Sequence, residues 1–269
     1  MSATPTQAPP AAEPGSGLTL VQPSRSVPAG DGWTWIAQGW KLFTRAPLMW
    51  ILAILVVLVA AIVMGLVPIV GSLVYNALSA AIGAGFVVAC RSLEQGGDFE
   101  LEHLFAGFRL RFANLLVVGL LVMAGGFLIL VVFAAFVGFS ILPALLTGDP
   151  HRVYDVVMGS MMSILLGGLV AAALAVPLMA AYWFAPALVV MHGLGPVEAL
   201  KESFVGCMRN IVPFLVYGIV MLFFAILAAI PFGLGYLVWV PLAISSTYAA
   251  YRGIYTAEGA PAGAPAPTP

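Results

Sequence analysis

What this sequence lacks above all is charge. Of its 269 residues only 8% are Asp, Glu, Lys or Arg, where a soluble domain carries about 25%, so a solvated charged coat is excluded. A net charge of -1 leaves no basic stripe to neutralise phosphates, and nucleic acid is not an expected partner. The two cysteines, Cys90 and Cys207, stand far apart with no CxxC or Cys/His spacing around them. That argues against a zinc site or a disulfide framework, and both read as free, partly buried thiols.

Catalytic motifs are missing as well. There is no GxSxG, no HExxH, no glycine-rich phosphate loop and no carboxylate pair within an apolar run, so no nucleophile has a base beside it. The sequence predicts a non-enzymatic protein with no catalytic residue, cofactor or metal. Its apolar runs hold no Asp, Glu, Lys or Arg, and His192 stands only at the edge of one. Ion-coupled pumps need ionisable groups at depth, so that class is disfavoured.

What the sequence has is apolar length. Hydrophobic residues make up 62% of it, and the mean hydropathy is +1.08, the composition of a multi-pass membrane protein. Apolar runs extend over Leu48–Leu66, Ser72–Cys90, Asn114–Leu146, Val156–Met191, Pro213–Ile230 and Tyr236–Tyr251, each near or above the roughly 20 residues that cross a bilayer. The third and fourth exceed one straight crossing. Tilt, helped by Gly125, Gly126 and Gly138, absorbs the excess in one, and a kink at Pro177 in the other. Trp183 to Met191 lies either within the bilayer or against its surface. In the second run the pairs Ser79/Gly83 and Ala81/Gly85 predict a close helix-packing face.

Three amphipathic segments precede pairs of these runs. In GWTWIAQGWKLFTRAPLMW, from Gly32 to Trp50, Trp33, Ile36, Trp40 and Phe43 recur at helical spacing, with Gln38, Lys41, Thr44 and Arg45 on other faces. Trp rings settle at the headgroup level, and Lys41 and Arg45 can reach lipid phosphates. In the second segment Leu101, Leu104, Phe105, Phe108 and Phe112 form a stripe opposite Glu100, Glu102, His103, Arg109 and Arg111. Those acidic and imidazole groups read as a solvated face, since a metal needs three or four converging ligands. The third sets Val197, Leu200, Phe204 and Ile211 against Glu198, Lys201, Glu202 and Arg209, with Pro196 suited to a helix start.

The predicted fold class is therefore all-α: an integral membrane helical bundle of six transmembrane helices in three hairpins, each preceded by a cytoplasmic interfacial amphipathic helix. The membrane domain spans 31–256, in units 31–95, 96–193 and 194–256. Residues 1–30, rich in Pro, Ala, Ser and Gly and without an apolar core long enough for a signal peptide, and residues 257–269 are expected to be disordered tails. A loose register links the units: Trp40 and Phe204 each precede an arginine by five, and Phe108 and Phe204 each precede an asparagine by six. Of the ten basic residues, Arg25, Lys41, Arg45, Arg91, Arg109, Arg111, Lys201, Arg209 and Arg252 fall on one side and Arg152 alone on the other. The positive-inside rule makes the crowded side, with both termini, cytoplasmic. This topology predicts that Cys90 and Cys207 resist an impermeant thiol reagent in intact cells.

Candidate functional residues fall into two sets. Trp33, Trp40, Lys41, Arg45, Arg109, Arg111 and Arg209 are candidates for contact with the lipid bilayer, including anionic headgroups. Tyr75, Asn76, Ser245, Ser246, Thr247 and Tyr248 are the main polar sites within apolar runs, read as interhelical hydrogen bonds in preference to a substrate path.

The segments GWTWIAQGWKLFTRAPLMWI, ALKESFVGCMRNIVPFLVYG and SSTYAAYRGIY resemble a family of uncharacterised proteobacterial multi-pass inner-membrane proteins. That family is similar to the YciC-like proteins and to the membrane domain joined to some glycerophosphodiester phosphodiesterases. The resemblance covers roughly Val27 to Thr256. It implies six spans separated by surface helices and carries no activity, since the phosphodiesterase catalytic domain has no counterpart in this chain. Two functions stand open: a structural, interaction or lipid-contacting membrane module whose protein partner is unknown, or a transporter or channel for a small, weakly charged solute.

Overall fold

The computed structural model describes residues 17–147, 156 and 159–259. Arg152 and the outer tails, 1–16 and 260–269, lie outside the described residues. The elements are α1 (Asp31–Arg45), α2 (Pro47–Gly65), α3 (Val70–Glu94), a 3₁₀ turn (Leu101–Phe105), α4 (Ala106–Leu110), α5 (Phe112–Thr147), α6 (Met161–Trp183), α7 (Ala185–His192), α8 (Pro196–Arg209), α9 (Ile211–Ala229), α10 (Tyr236–Tyr255) and a last 3₁₀ turn (Ala257–Gly259).

Local chemistry sets the breaks. Asp31 in the first turn of α1 and Arg45 in its last complement the helix dipole. Pro47 then ends α1 and opens α2, where its missing N–H costs nothing. The second amphipathic segment is not one continuous helix. Glu100 and His103 form a reciprocal cap that starts a 3₁₀ turn, with the Glu100 N–H donating to His103 Nδ1 at 3.1 Å. The helix of the fourth apolar run continues through Pro177 and breaks instead at Phe184, with Pro186 in the first turn of α7 and Gly193 closing α7 at φ 69°. All seven residues 185–191 of α7 are buried, so this stretch faces protein.

Among the described residues, five helical segments are long and apolar enough to cross a membrane: Pro47–Gly65, Val70–Glu94, Phe112–Gly138, Met161–His192 and Ile211–Ala229. α10, with 20 residues, falls short of their apolarity because Ser245, Ser246, Thr247, Tyr248, Tyr251 and Arg252 crowd its second half. Outward faces such as Leu55, Val59 and Ile62 of α2 and Ile219, Leu222, Phe223 and Ile226 of α9 are exposed. Apolar faces of this extent are suited to contact with lipid.

The three amphipathic segments dock in a cycle. α1 packs on α10, the 3₁₀ turn and α4 pack on α3, and α8 packs on α6. Each contact is made at a small residue one position before the aromatic that sets the sequence register. A Cβ on Gly39 would meet Ser246 of α10, and one on Gly107 would strike the Ala81 carbonyl of α3. Ser203 donates to the Ala180 carbonyl of α6 at 2.7 Å and accepts from the Phe184 N–H at 2.9 Å. Helices joined without a hydrophobic driving force rely on such backbone approach.

This docking changes the reading of α1. The face turned into the protein is Gly32, Trp35, Ile36, Gly39, Leu42 and Phe43, not the stripe of Trp33, Ile36, Trp40 and Phe43. Trp35, at 2% exposure, lies 5.2 Å from Phe214 and 6.2 Å from Tyr217 between ring centroids, while Trp33 and Trp40 remain about half exposed at 55% and 47%.

The segment expected to be a disordered tail through residue 30 is built into the fold from Leu18 to Val27. Leu18 is buried, Leu20 bridges Thr256, and the Val21 and Arg25 N–H groups donate to the carbonyls of Tyr255 at 2.8 Å and Ile254 at 3.0 Å. Asn210, fully buried, holds the Val27 N–H on Oδ1 and donates through Nδ2 to the carbonyls of Arg25 and Gly206, each at 2.8 Å. Backbone groups carried by a polar, Pro-rich sequence are thus satisfied by partners more than 180 residues away, which local composition does not reveal.

Candidate functional site

A cavity of about 860 Å³ lies between α3, the junction of α6 and α7, α9 and α10, with Val57 of α2 at its edge. Its presence follows from the packing. α3 packs against α5 and α10 against α2, whereas α6 and α9 make little contact among the described residues, with Trp183 and Phe214 6.1 Å apart. The wall is mostly apolar, with Phe86, Met221 and Ile244 among its members, and its polar groups are hydroxyls. Ser79 Oγ and Tyr182 Oη are 2.9 Å apart, and Tyr217 Oη lies 3.0 Å from Ser246 Oγ. Trp239 donates its indole N–H to the Met221 carbonyl at 2.9 Å, tying α10 to α9.

One end of the cavity is closed by an ionic network. Tyr248, which lines the cavity, donates to Glu94 Oε2 at 2.7 Å; Arg91 donates to the same carboxylate at 2.9 Å and Arg252 Nε to its other oxygen at 2.9 Å. Tyr251 Oη is 2.6 Å from His192 Nε2. Arg252 also reaches Thr256 Oγ1 at 2.8 Å and Glu258 at 3.6 Å. Behind it Arg25 Nη2 donates to the carbonyls of Gly253 at 2.6 Å and Thr256 at 2.7 Å. Burial and the nearby Arg252 lower the pKa of Arg25, while Asp31 and Glu258 act in the opposite sense.

A second space, a groove of about 690 Å³, runs between α1 and the outer side of α9 and α10. Trp33, Ile36, Ala37, Trp40 and Lys41 form one wall, and Phe224, Leu227, Val238, Trp239 and Leu242 belong to the other.

Compared with known proteins, the chain is similar to a probable inner membrane protein of Burkholderia thailandensis. The two are 32% identical over 267 residues, covering 87% of this chain and 95% of the relative. The chain belongs to the family of that protein. It is a multi-pass inner-membrane protein. No family model matches the chain, and no solved structure matches it. The resemblance to YciC-like proteins and to the phosphodiesterase membrane domain has no counterpart in these matches.

Within this family member, the residues singled out in the sequence separate by surroundings. Trp33, Trp40 and Lys41 come together at the groove. Arg45 donates to the Leu93 carbonyl, Arg109 pairs with Glu102, Arg111 lies against Gly193, and Arg209 donates to the Ser24 carbonyl at 2.8 Å. These four are spread over the same end of the molecule and do not form one site. Of the intramembrane polar set, Tyr75, Thr247 and Tyr248 line the cavity. Asn76 caps its own helix by donating to Ser72 at 2.8 Å, Ser245 donates to the Gly39 carbonyl at 3.0 Å, and Ser246 bonds within α10 and to Tyr217. The interhelical reading thus describes Ser245, Ser246 and Tyr248, whose hydroxyl donates to Glu94 of α3, and it does not describe Asn76 or Tyr75.

Sequence reasoning missed Glu94, Tyr251, Tyr182 and Asn210. The spacing Arg91 to Glu94 at a helix end was a usable signal for the ionic closure. The partners Tyr248 and Arg252, 154 and 158 residues further along, had none. Cys90 and Cys207 are free, as expected, and buried; burial pushes the Cys207 thiol up to about 12.

Proposed function

We propose that the protein is a non-enzymatic inner-membrane module that holds anionic lipid headgroups at the level of α1, with six spans in three hairpins and both termini in the cytoplasm. The groove carries this reading. Its walls are apolar and aromatic, Trp33 and Trp40 of α1 belong to them, and Lys41 lines the same space. A lysine stem can lie along apolar surface while its ammonium meets a phosphate. The sixth span is α10. Twenty residues reach about 30 Å at 1.5 Å per residue, and Ser245, Ser246, Tyr248 and Tyr251, which lower its apolarity, are buried and hydrogen-bonded, which reduces the cost of placing them in hydrocarbon. The orientation rests on nine of ten basic residues gathered toward one end.

The test is native mass spectrometry of the full chain with phosphatidylglycerol against phosphatidylcholine. Each basic residue near the surface contributes about 1 kcal/mol, or about fivefold. Lys41→Gln should therefore lower phosphatidylglycerol retention several-fold and leave phosphatidylcholine unchanged. Equal retention by the variant and the native protein would sink the proposal.

A second reading, passage of a small weakly charged solute, is supported by the central cavity. The Glu94 network closing one end weighs against an open channel. Glycerol flux into proteoliposomes above that of empty vesicles would favour this reading.

A further inference from the structure

We propose that the cavity between α3, α6, α9 and α10 binds one uncharged lipid, a chain-bearing molecule whose head offers hydroxyl or carbonyl oxygens. The cavity meets the groove at α1 only through the shared wall residue Trp239, and the inference does not depend on anionic lipid binding there.

Shape gives the first argument. At about 860 Å³ the cavity is within the range of about 300–1,000 Å³ that holds small-molecule ligands. Its wall on α3 runs from Tyr75 to Cys90, about 22 Å of helix at 1.5 Å per residue. That is longer than half of a hydrocarbon core about 30 Å thick. A long, narrow, largely apolar space favours a chain over a compact polar solute, and water gains too few partners on such walls to fill it.

Charge gives the second. Among the described residues no Asp, Glu, Lys or Arg lines the cavity, and Arg91, Glu94 and Arg252, beside its lining residue Tyr248, are paired with each other. An ionic head would enter with no counter-ion and at high desolvation cost. Hydroxyls stand there instead, at Tyr75, Ser79, Tyr182, Tyr217 and Thr247. Tyr75 has no hydrogen-bond partner among the described residues, and hydroxyls both donate and accept, which suits a neutral oxygen-bearing head.

Access gives the third. α6 and α9 both line the cavity yet make little contact with each other among the described residues, whereas α3 packs closely on α5. Gly218 of α9 lines the cavity with open space where its Cβ would be. Entry from the side suits a molecule already dissolved in the bilayer.

The full chain is purified and incubated with 1,2-dioleoylglycerol, and separately with dioleoylphosphatidylglycerol, for native mass spectrometry. One dioleoylglycerol per chain is expected to remain bound. Gly218→Phe, which fills the cavity without a backbone clash, should reduce its retention at least tenfold at an unchanged Tm. Gly168→Phe, equally unobstructed but outside the lining, should leave retention intact. The proposal is overturned if the native chain retains no dioleoylglycerol, or if Gly218→Phe retains it as well as the native chain. It is also overturned if phosphatidylglycerol is retained equally and lost equally in Gly218→Phe. Loss of phosphatidylglycerol in Lys41→Gln reports on the groove alone, so the two readings fail independently.

Discussion

Ser245 donates its hydroxyl to the Gly39 carbonyl at 3.0 Å, and α1 lies so close there that a Cβ on Gly39 would sit 2.6 Å from the Ser246 nitrogen. The opposing atoms are backbone, so no side chain can turn aside. Gly39→Val should cost at least the about 1–3 kcal/mol typical of overpacking and lower the Tm in detergent. Gly168→Ala, with nothing near its Cβ, should gain about 0.5–1 kcal/mol by helix propensity. Equal Tm values for the two variants would mean that α1 does not dock on α10.

Asn210 holds the N-terminal segment by two hydrogen bonds at 2.8 Å, to Val27 and Arg25, and a third at 2.8 Å ties it to the Gly206 carbonyl of α8. Removing a buried partner exposes the full cost of the groups left behind, about 1–3 kcal/mol. Asn210→Ala should therefore loosen Leu18–Val27 and speed tryptic cleavage after Arg25 several-fold in detergent. Asn210→Asp, which keeps the acceptor for Val27 but loses the two donations, should fall between Ala and the native protein. Cleavage at an unchanged rate in both would show that the segment is held by other contacts.

The helices and their apolar faces were legible in the sequence because periodicity and length report burial directly. The cyclic docking was half legible. Trp40, Phe108 and Phe204 gave the register, but the small residue before each, Gly39, Gly107 or Ser203, carries the contact, and a small residue has no hydropathy signal. The central cavity was not legible. It depends on a missing contact between α6 and α9, and on Tyr182, Tyr217 and Tyr75 facing one space from three helices. Composition also misled in both directions: polar residues 18–27 are held in place through Asn210, and polar residues 245–248 made α10 fall short of apolar helices that it accompanies.

Glu94 accepts from Tyr248, Arg91 and Arg252 at once. Glu94→Gln takes the carboxylate from two arginines, each with side chains 11% exposed, and leaves Arg252 the longer contact to Glu258 at 3.6 Å. A fully buried pair loses about 3–5 kcal/mol when one partner goes. Glu94 is 32% exposed, so a loss of about 1–3 kcal/mol is expected, with Tyr248→Phe costing about 1 kcal/mol. The double variant should cost less than the sum, because both changes remove the same bond. Strict additivity in thermal unfolding would separate Tyr248 from the carboxylate.

Burial changes what the cysteines can report about topology. Cys90 is fully buried and Cys207 is 7% exposed, so both should resist a maleimide whichever way the protein faces. The Cys207 thiol titrates at about 12 instead of 9.0. Any stability tied to its neutral form is complete below pH 9.0 and is lost as pH rises toward about 12. At pH 8 the thiolate that would react is scarce, and labelling should need a denaturant. Orientation is better read at exposed positions in a chain with both cysteines replaced by alanine. Lys201→Cys should label with an impermeant maleimide only after permeabilisation. Leu234→Cys, in the turn between α9 and α10 at 67% exposure, should label in spheroplasts. The reverse pattern would invert the bundle and place the Glu94 network, and the closed end of the cavity, on the outer face.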